Sequence, residues 1–381
     1  MNIVGPKQRL STRLAFLAAG LAMSAWAPLV PFAKARLGMS EAELGLLLLC
    51  LGAGSLMAMP VTGLLTSRYG CRLVVLISGA FTCLLLPGLA YAPTPALLGA
   101  TLFAVGAAIG TLDVSMNVQA VIVERESGGS LMSGFHGLFS VGGFTGAGLM
   151  ALMLWGGMTP TASAAVVSVL VALSLAFCAP HLLREPDVAE RDAPLFVVPH
   201  GAVIFIGVLC FLSFLAEGAI LDWSALLLTA EQGLDANRAG LGYAAFAIAM
   251  TAGRLTGDRV VRKLGGKRVL LLGGLCGACG FFGAVLAPSA PLALVGFVLI
   301  GLGASNIVPI LFTAAGNQSA MPASLAIGAI TTLGYAGILA GPAAIGFIAH
   351  AASLKLAFGG LGCAMLLIAA SAKLGAASKK A

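Results

Sequence analysis

Long apolar runs separated by short polar breaks dominate this chain. A helix that crosses a bilayer needs about 20 predominantly apolar residues. By that measure twelve segments qualify, at about 12–33, 42–65, 73–91, 96–122, 131–155, 161–181, 200–227, 236–257, 268–287, 291–315, 322–350 and 354–374. No segment alternates with period two over the length of a barrel strand, and backbone inside a bilayer must be helix or closed barrel. The breaks carry turn and cap chemistry. Ser40 with Glu43 forms a capping box ahead of the second segment. Pro93 and Pro95 separate the third and fourth, Pro288 and Pro291 the ninth and tenth, and Asp235 is expected to cap the eighth. The expected fold is an all-α membrane protein of twelve transmembrane helices in two pseudo-symmetric six-helix bundles.

The N-terminus imitates a signal peptide, with Lys7, Arg9 and Arg13, an apolar stretch and then Ala25-Trp26-Ala27. The apolar stretch continues to Phe32, long enough to span, so it is read as a retained first helix. Composition agrees. Of 381 residues 59% are hydrophobic and 9% charged, against about 25% charged in ordinary soluble domains. A soluble enzyme or a nucleic-acid binder needs far more polar surface. The net charge of +7 has another use. With a cytoplasmic N-terminus, most basic residues fall on the cytoplasmic side, and Lys34, Arg36, Arg238 and Lys355 remain outside. Lys373, Lys379 and Lys380 then place the C-terminus inside as well. A multi-pass membrane location with both termini cytoplasmic is expected, and no nucleic-acid partner is needed. The eight cysteines lie mostly in apolar runs. The Cys276-x-x-Cys279 pair sits mid-segment and is read as structural.

The polar stretch Leu182–Pro194 divides the chain into a six-helix half at 1–181, a cytoplasmic linker at 182–199 and a second half at 200–381. Both halves carry a similar loop. One reads Gly63-x-x-x-Ser67-Arg68-x-Gly70-x-Arg72; the other reads Gly253-x-x-x-Gly257-Asp258-Arg259, then Gly265-Gly-Lys267-Arg268. These loops resemble the G-x-x-x-D-R-x-G-R-R signature of the major facilitator superfamily. The first copy has Ser67 where the family has Asp, and the second keeps Asp258-Arg259 one position late. The resemblance covers the whole chain. It implies secondary transport by alternating access, with Arg68, Arg72, Asp258 and Arg259 in the cytoplasmic gate. Such a carrier is expected to work as a monomer with a small-molecule solute, protons and the lipid bilayer as partners.

An ionisable group at mid-bilayer costs about 2.5–3.5 kcal/mol on insertion scales and usually marks function. Three acids lie inside segments: Asp113, Glu217 and Asp222. A carboxyl stripped of its hydration shell resists ionisation. It can therefore take and release a proton as access alternates, so Asp113 and Glu217 are the proton-coupling candidates. Asp222 falls nearly opposite Glu217 on the same helix, close to the outer interface, and is read as a cap or gate. Asp113 and Asn117 share a helix face. Gly110-Thr-Leu-Asp113-x-x-x-Asn117 resembles the acid-x-x-x-Asn element of the fucose-permease-like branch, where the acid serves proton coupling and sugar binding. His136 follows Phe135 where that branch has Phe-Asn, which implies a substrate contact. The branch's acid in the first span is missing here. Glu217-Gly-Ala-x-x-Asp222-Trp223-Ser224, Gly303-Ala-Ser-Asn306 and Gly334-Tyr335 resemble a subgroup of bacterial inner-membrane proteins. Tyr335, Trp26 and Asn306 complete the substrate-lining candidates: Trp26 is read as stacking on a sugar face or sitting at the interface, and Asn306 as lining the cavity or bonding a neighbouring helix. Gly341-Pro342 is expected to let its helix bend.

The favoured reading is a proton-coupled carrier of a small polar solute, sugar-like or a sugar acid. A transition-metal importer rests on Met132 and His136 alone, and a drug or metabolite exporter shares the fold. An intramembrane enzyme has only the Ser140–His136 pairing, with no oxyanion motif, so no enzyme activity is expected. There is no phosphate-binding loop, and neither a cofactor nor a resident metal is expected.

Overall fold

The computed structural model describes residues 4–184, 198–235 and 238–373, and the described residues are helical, with no strand. The linker expected at 182–199 thus lies largely outside the described residues, as do Lys379 and Lys380. The first expected segment is realised in two pieces, α1 (Pro6–Ser24) and α2 (Val30–Leu37), joined by a 3₁₀ turn at Ala27–Leu29. Pro28 and Pro31 lack the amide hydrogen that a continuous helix would need there. The long helix α3 (Glu41–Tyr91) opens with the Ser40–Glu43 capping box and holds two expected segments, joined at Gly70. Next come α4 (Pro95–Ser127), α5 (Met132–Trp155), α6 (Pro160–Cys178) and α7 (Ala202–Leu226), the last continued by a π turn at Leu227–Glu231. Then follow α8 (Leu241–Leu264), α9 (Gly266–Leu286), α10 (Ala290–Ala304), α11 (Ile307–Asn317), α12 (Ala323–Ala351) and α13 (Leu354–Ala370). Among the described residues, nine helical stretches are long and apolar enough to cross a membrane, and Leu354–Ala370 is a shorter apolar helix. Helix α8 falls below that measure because it carries Arg254, Asp258, Arg259, Arg262 and Lys263.

Two expectations need correction. Asp235 does not cap α8: the helix begins at Leu241 with Gly240 at the cap, and the Asp235 carbonyl accepts from the Arg238 amide at 2.8 Å. The second loop also aligns differently from its sequence reading. Gly70 (φ 76°, ψ 158°) and Gly265 (φ 79°, ψ 150°) adopt the same backbone conformation. That region is essentially closed to residues with a side chain, so the turn glycine is the fixed point of the repeat. Counting back from it sets Ser67 and Arg68 against Arg262 and Lys263. Asp258 then stands opposite Gly63, before the position of the signature acid.

Contacts group the chain into two compact units. One comprises Met1–Gly128, Leu138–Val198 and Met321–Thr332; the other comprises Gly129–Gly137, Pro199–Ala320 and Leu333–Ala381. Within the first, α1 packs on α4 and α6, and α3 packs along α4 and α6. Within the second, α7 packs on α11 and α13, α8 on α10, and α9 on α10 and α13. These are the same neighbour relations repeated, which makes the fold two pseudo-symmetric six-helix bundles. The repeat holds at individual glycines, 195 residues apart. A Cβ on Gly106 would overlap the Leu51 carbonyl, and one on Gly301 the Phe246 carbonyl. Gly142 meets the Leu17 carbonyl in the same way, and Gly337 that of Phe211. Close backbone approach through small residues is how helices associate in lipid.

Candidate functional site

The second unit holds a buried ion pair between two helices. Glu217 lies midway along α7, and Arg254 lies midway along α8. Arg254 Nη2 stands 3.4 Å from Glu217 Oε2, with side-chain exposures of 8% and 18%. The tenth span supplies a third partner. It breaks between α10 and α11 at Ser305-Asn306, where Asn306 leaves helical geometry (φ −109°, ψ 0°). A helix end frees carbonyls that have no partner within the helix. Arg254 Nε donates to one of them, Ser305 O, at 3.4 Å. The cation thus sits at the negative end of α10.

Asn306 is buried in the same break. Its Nδ2 donates to the Gly253 carbonyl at 3.3 Å and to Ser305 Oγ at 2.9 Å. Among the described residues its Oδ1 accepts no hydrogen bond, and neither does Glu217 Oε1. His136, also buried, stacks edge-on with Phe312 of α11 at 5.6 Å between centroids. It lies in the field of Arg254. Tyr335 of α12 stacks edge-on against Phe214 of α7 at 6.1 Å.

Towards its C-terminal end, α8 meets the first turn of α5. Asp258 Oδ1 accepts from the Gly134 amide at 3.0 Å, so its charge faces the positive end of α5. Arg262 donates to the Ser130 carbonyl at 3.3 Å. A Cβ on Gly257 would collide with Asn306 and Ser133, so Gly257 permits the approach.

The first unit carries the other candidates. Asn117 Nδ2 donates to the Asp113 carbonyl at 2.9 Å and to Asp113 Oδ1 at 3.4 Å. Asn117 Oδ1 is buried with no hydrogen bond among the described residues. Trp26 is buried at the break after α1, and the same holds for its Nε1. Arg72 gives its backbone amide to the Leu183 carbonyl at 2.9 Å. Arg68, Arg259 and Asp222 are exposed side chains.

Two polar residues of these units escaped the sequence reading. Arg254 was absorbed into the loop motif that begins at Gly253, although it lies ten residues inside the end of α8. An arginine two residues after the apolar run Tyr243–Ala252 was the available signal. Gln119 was hidden by its apolar neighbours. It is fully buried, donates to Thr12 Oγ1 at 3.3 Å and accepts from the Leu183 amide at 3.1 Å.

Comparison with known proteins agrees with this architecture. The sequence profile of the Major Facilitator Superfamily matches residues 14–322 and 206–377. An uncharacterized MFS-type transporter of Yersinia pestis is 57% identical over 369 residues, which cover 97% of this chain and 96% of that protein. The crystal structure of an Escherichia coli fucose:proton symporter superposes with a TM-score of 0.74 at 14% identity, covering 100% of both chains. That of a human organic anion transporter gives 0.77 at 17% identity, covering 97% of this chain and 100% of that one.

Proposed function

The chain belongs to the major facilitator superfamily, and on that premise we propose that it is a proton-coupled secondary transporter. Family and fold make it a transporter and not an enzyme. Its solute is a small polar molecule, sugar-like or a sugar acid, carried by alternating access between halves 1–181 and 200–381. The observation that carries this reading is the Glu217–Arg254 pair. A carboxylate and a guanidinium far from the ends of their own helices are costly in a bilayer, and they stay neutral as a pair only while Glu217 is ionised. A proton taken by Glu217 therefore alters the charge of the whole site, which is what coupling requires.

In this reading Asp113 and Glu217 handle the proton. Trp26, Asn117, His136, Asn306 and Tyr335 line the solute path. Arg68, Arg72, Asp258, Arg259 and Asp222 take part in gating, with Asp258 acting through the N-terminus of α5. The solved neighbours support a polar cargo, since one is named for fucose and protons and the other for organic anions. The carrier works as a monomer in a bacterial inner membrane with both termini in the cytoplasm. Uptake of sugars and sugar acids into proteoliposomes tests the coupling. An inward proton gradient should accelerate uptake, and Asp113→Asn and Glu217→Gln should abolish that acceleration. Uptake that ignores the gradient and survives both substitutions removes the proposal.

A further inference from the structure

We propose that the first unit binds an anionic phospholipid, with one acyl chain in a groove between α3 and α4 and the phosphate on Arg68 and Arg72.

The groove has a volume of about 620 Å³, inside the range of about 300–1,000 Å³ usual for ligand sites. Leu73, Ile77, Phe81 and Leu85 of α3 form one wall, and Ala104 and Ala107 of α4 lie across from them. The four α3 residues are spaced by four, so they share a helix face. Large side chains opposite small ones leave the space open. The equivalent seam of the second unit is shut. Counted from the two turn glycines, Ser78, Leu85 and Ala108 correspond to Gly273, Gly280 and Gly303. A Cβ at any of these glycines would strike the main chain of the facing helix. Ser78, Leu85 and Ala108 each carry that Cβ, and all three line the groove.

The groove suits an amphiphile. Leu73, Ile77 and Phe81 are each about half exposed, so in a bilayer this wall meets lipid. Ser78 donates its hydroxyl proton to the Val74 carbonyl at 2.7 Å, which keeps the lining apolar. From Leu73 to Leu85 the helix rises about 18 Å. That is close to one leaflet, half of a hydrocarbon core about 30 Å thick. One end of the groove is positive. Tyr69 and Leu73 line it on either side of the Gly70 turn, and Arg68 and Arg72 directly precede them. Among the described residues neither guanidinium takes part in a hydrogen bond or ion pair; Arg72 bonds only through its main-chain amide. Tyrosine favours the headgroup level, and basic residues beside transmembrane helices attract anionic lipid heads. An apolar channel one leaflet deep that ends at two unpaired cations has the dimensions and charge of an anionic phospholipid.

Native mass spectrometry of the purified full-length protein tests the site, with dioleoyl phosphatidylglycerol and dioleoyl phosphatidylcholine as probes. The wild type should bind phosphatidylglycerol more tightly. Arg68→Gln and Arg72→Gln should each reduce that preference about fivefold, and Lys267→Gln, at an exposed cation beside the other turn, should leave it unchanged. Ala107→Leu, which fills the groove, should weaken both lipids, while Ala151→Leu on an exposed face of α5 should weaken neither. Glycerol phosphate should not compete. Equal binding of the two lipids, an equal effect of Lys267→Gln, or no difference between the two leucine variants overturns the proposal. Competition by glycerol phosphate would reveal an anion site independent of the groove, and a dimer lost in Ala107→Leu would give the groove to a second copy of the chain; either overturns it. Phe81→Trp gives a reading in vesicles that leaves both arginines and the alanine in place. Its added fluorescence should be quenched more by brominated phosphatidylglycerol than by brominated phosphatidylcholine, and equal quenching overturns the proposal.

Discussion

Arg254 of α8 pairs with Glu217 of α7 at 3.4 Å while its Nε holds the carbonyl freed by the break between α10 and α11. The pair couples a helix interface to a helix break. Removing one partner of a buried ion pair strands the other charge and costs about 3–5 kcal/mol, whereas removing both is often far milder. Glu217→Gln and Arg254→Gln should each lower the melting temperature, and the double substitution should recover most of the loss. A double variant as unstable as the sum of the singles would show that the two side chains act independently.

Gly70 and Gly265 hold the same left-handed backbone at the two equivalent turns. Alanine at either should cost about 1–3 kcal/mol from strain. Gly283, inside α9 with open space around it, is the control. Gly283→Ala should be neutral or stabilising by about 0.5–1 kcal/mol, the usual helix preference of alanine over glycine. Denaturant or thermal unfolding in detergent reads all three. Equal effects at Gly70 and Gly265 are the energetic mark of the repeat.

These turns also show what could be read from the chain alone. The twelve segments were legible because bilayer thickness translates directly into apolar length. The Ser40–Glu43 box was legible because both partners lie within one turn. The register of the repeat was not. Sequence matching follows the charged pair Asp258-Arg259, while the chain conforms to the turn glycine. The start of α8 was misplaced for a related reason: Asp235 has the right chemistry for a cap but lies six residues before the helix begins. In the candidate site, Glu217 stood out as an acid in an apolar run. Arg254 did not, because it borders a motif rich in arginine, and its partner is fixed only by how α7 and α8 pack. Asn306 was ambiguous between lining a cavity and bonding a neighbour. The bond to the Gly253 carbonyl depends on a helix break that no proline or glycine at 305–306 announces.

Asp258 accepts from the Gly134 amide at the start of α5. Loss of an acceptor at a helix N-terminus costs about 0.5–2 kcal/mol. Asp258→Ala should loosen this contact, and Asp258→Asn should keep part of it, since the amide oxygen still accepts but the charge is gone. With the eight native cysteines replaced, a cysteine at Ser133 reports the change. Alkylation there should be fastest in Asp258→Ala, intermediate in Asp258→Asn and slowest with Asp258 intact. Equal rates in all three would remove the contact from the gate.

Gly106 and Gly301 let α4 and α10 approach backbone carbonyls of α3 and α8. A valine at either position cannot be absorbed by a rotamer change, since the obstruction is main chain. Overpacking of this kind costs about 1–3 kcal/mol or more. Gly106→Val and Gly301→Val should both lower the melting temperature markedly, while Gly148→Val, in open space on α5, should change it little. Similar losses at all three would mean that the seams are not the tight contacts.

Comparing gradient-driven accumulation with solute exchange in Glu217→Gln proteoliposomes is the most direct test of the central claim. D-glucuronate and D-glucose serve as probes. The glutamine keeps the side chain's volume and hydrogen bonding but cannot release a proton. The account predicts that exchange persists while accumulation against a gradient is lost. A variant that still accumulates solute under an inward proton gradient, as the wild type does, would contradict it.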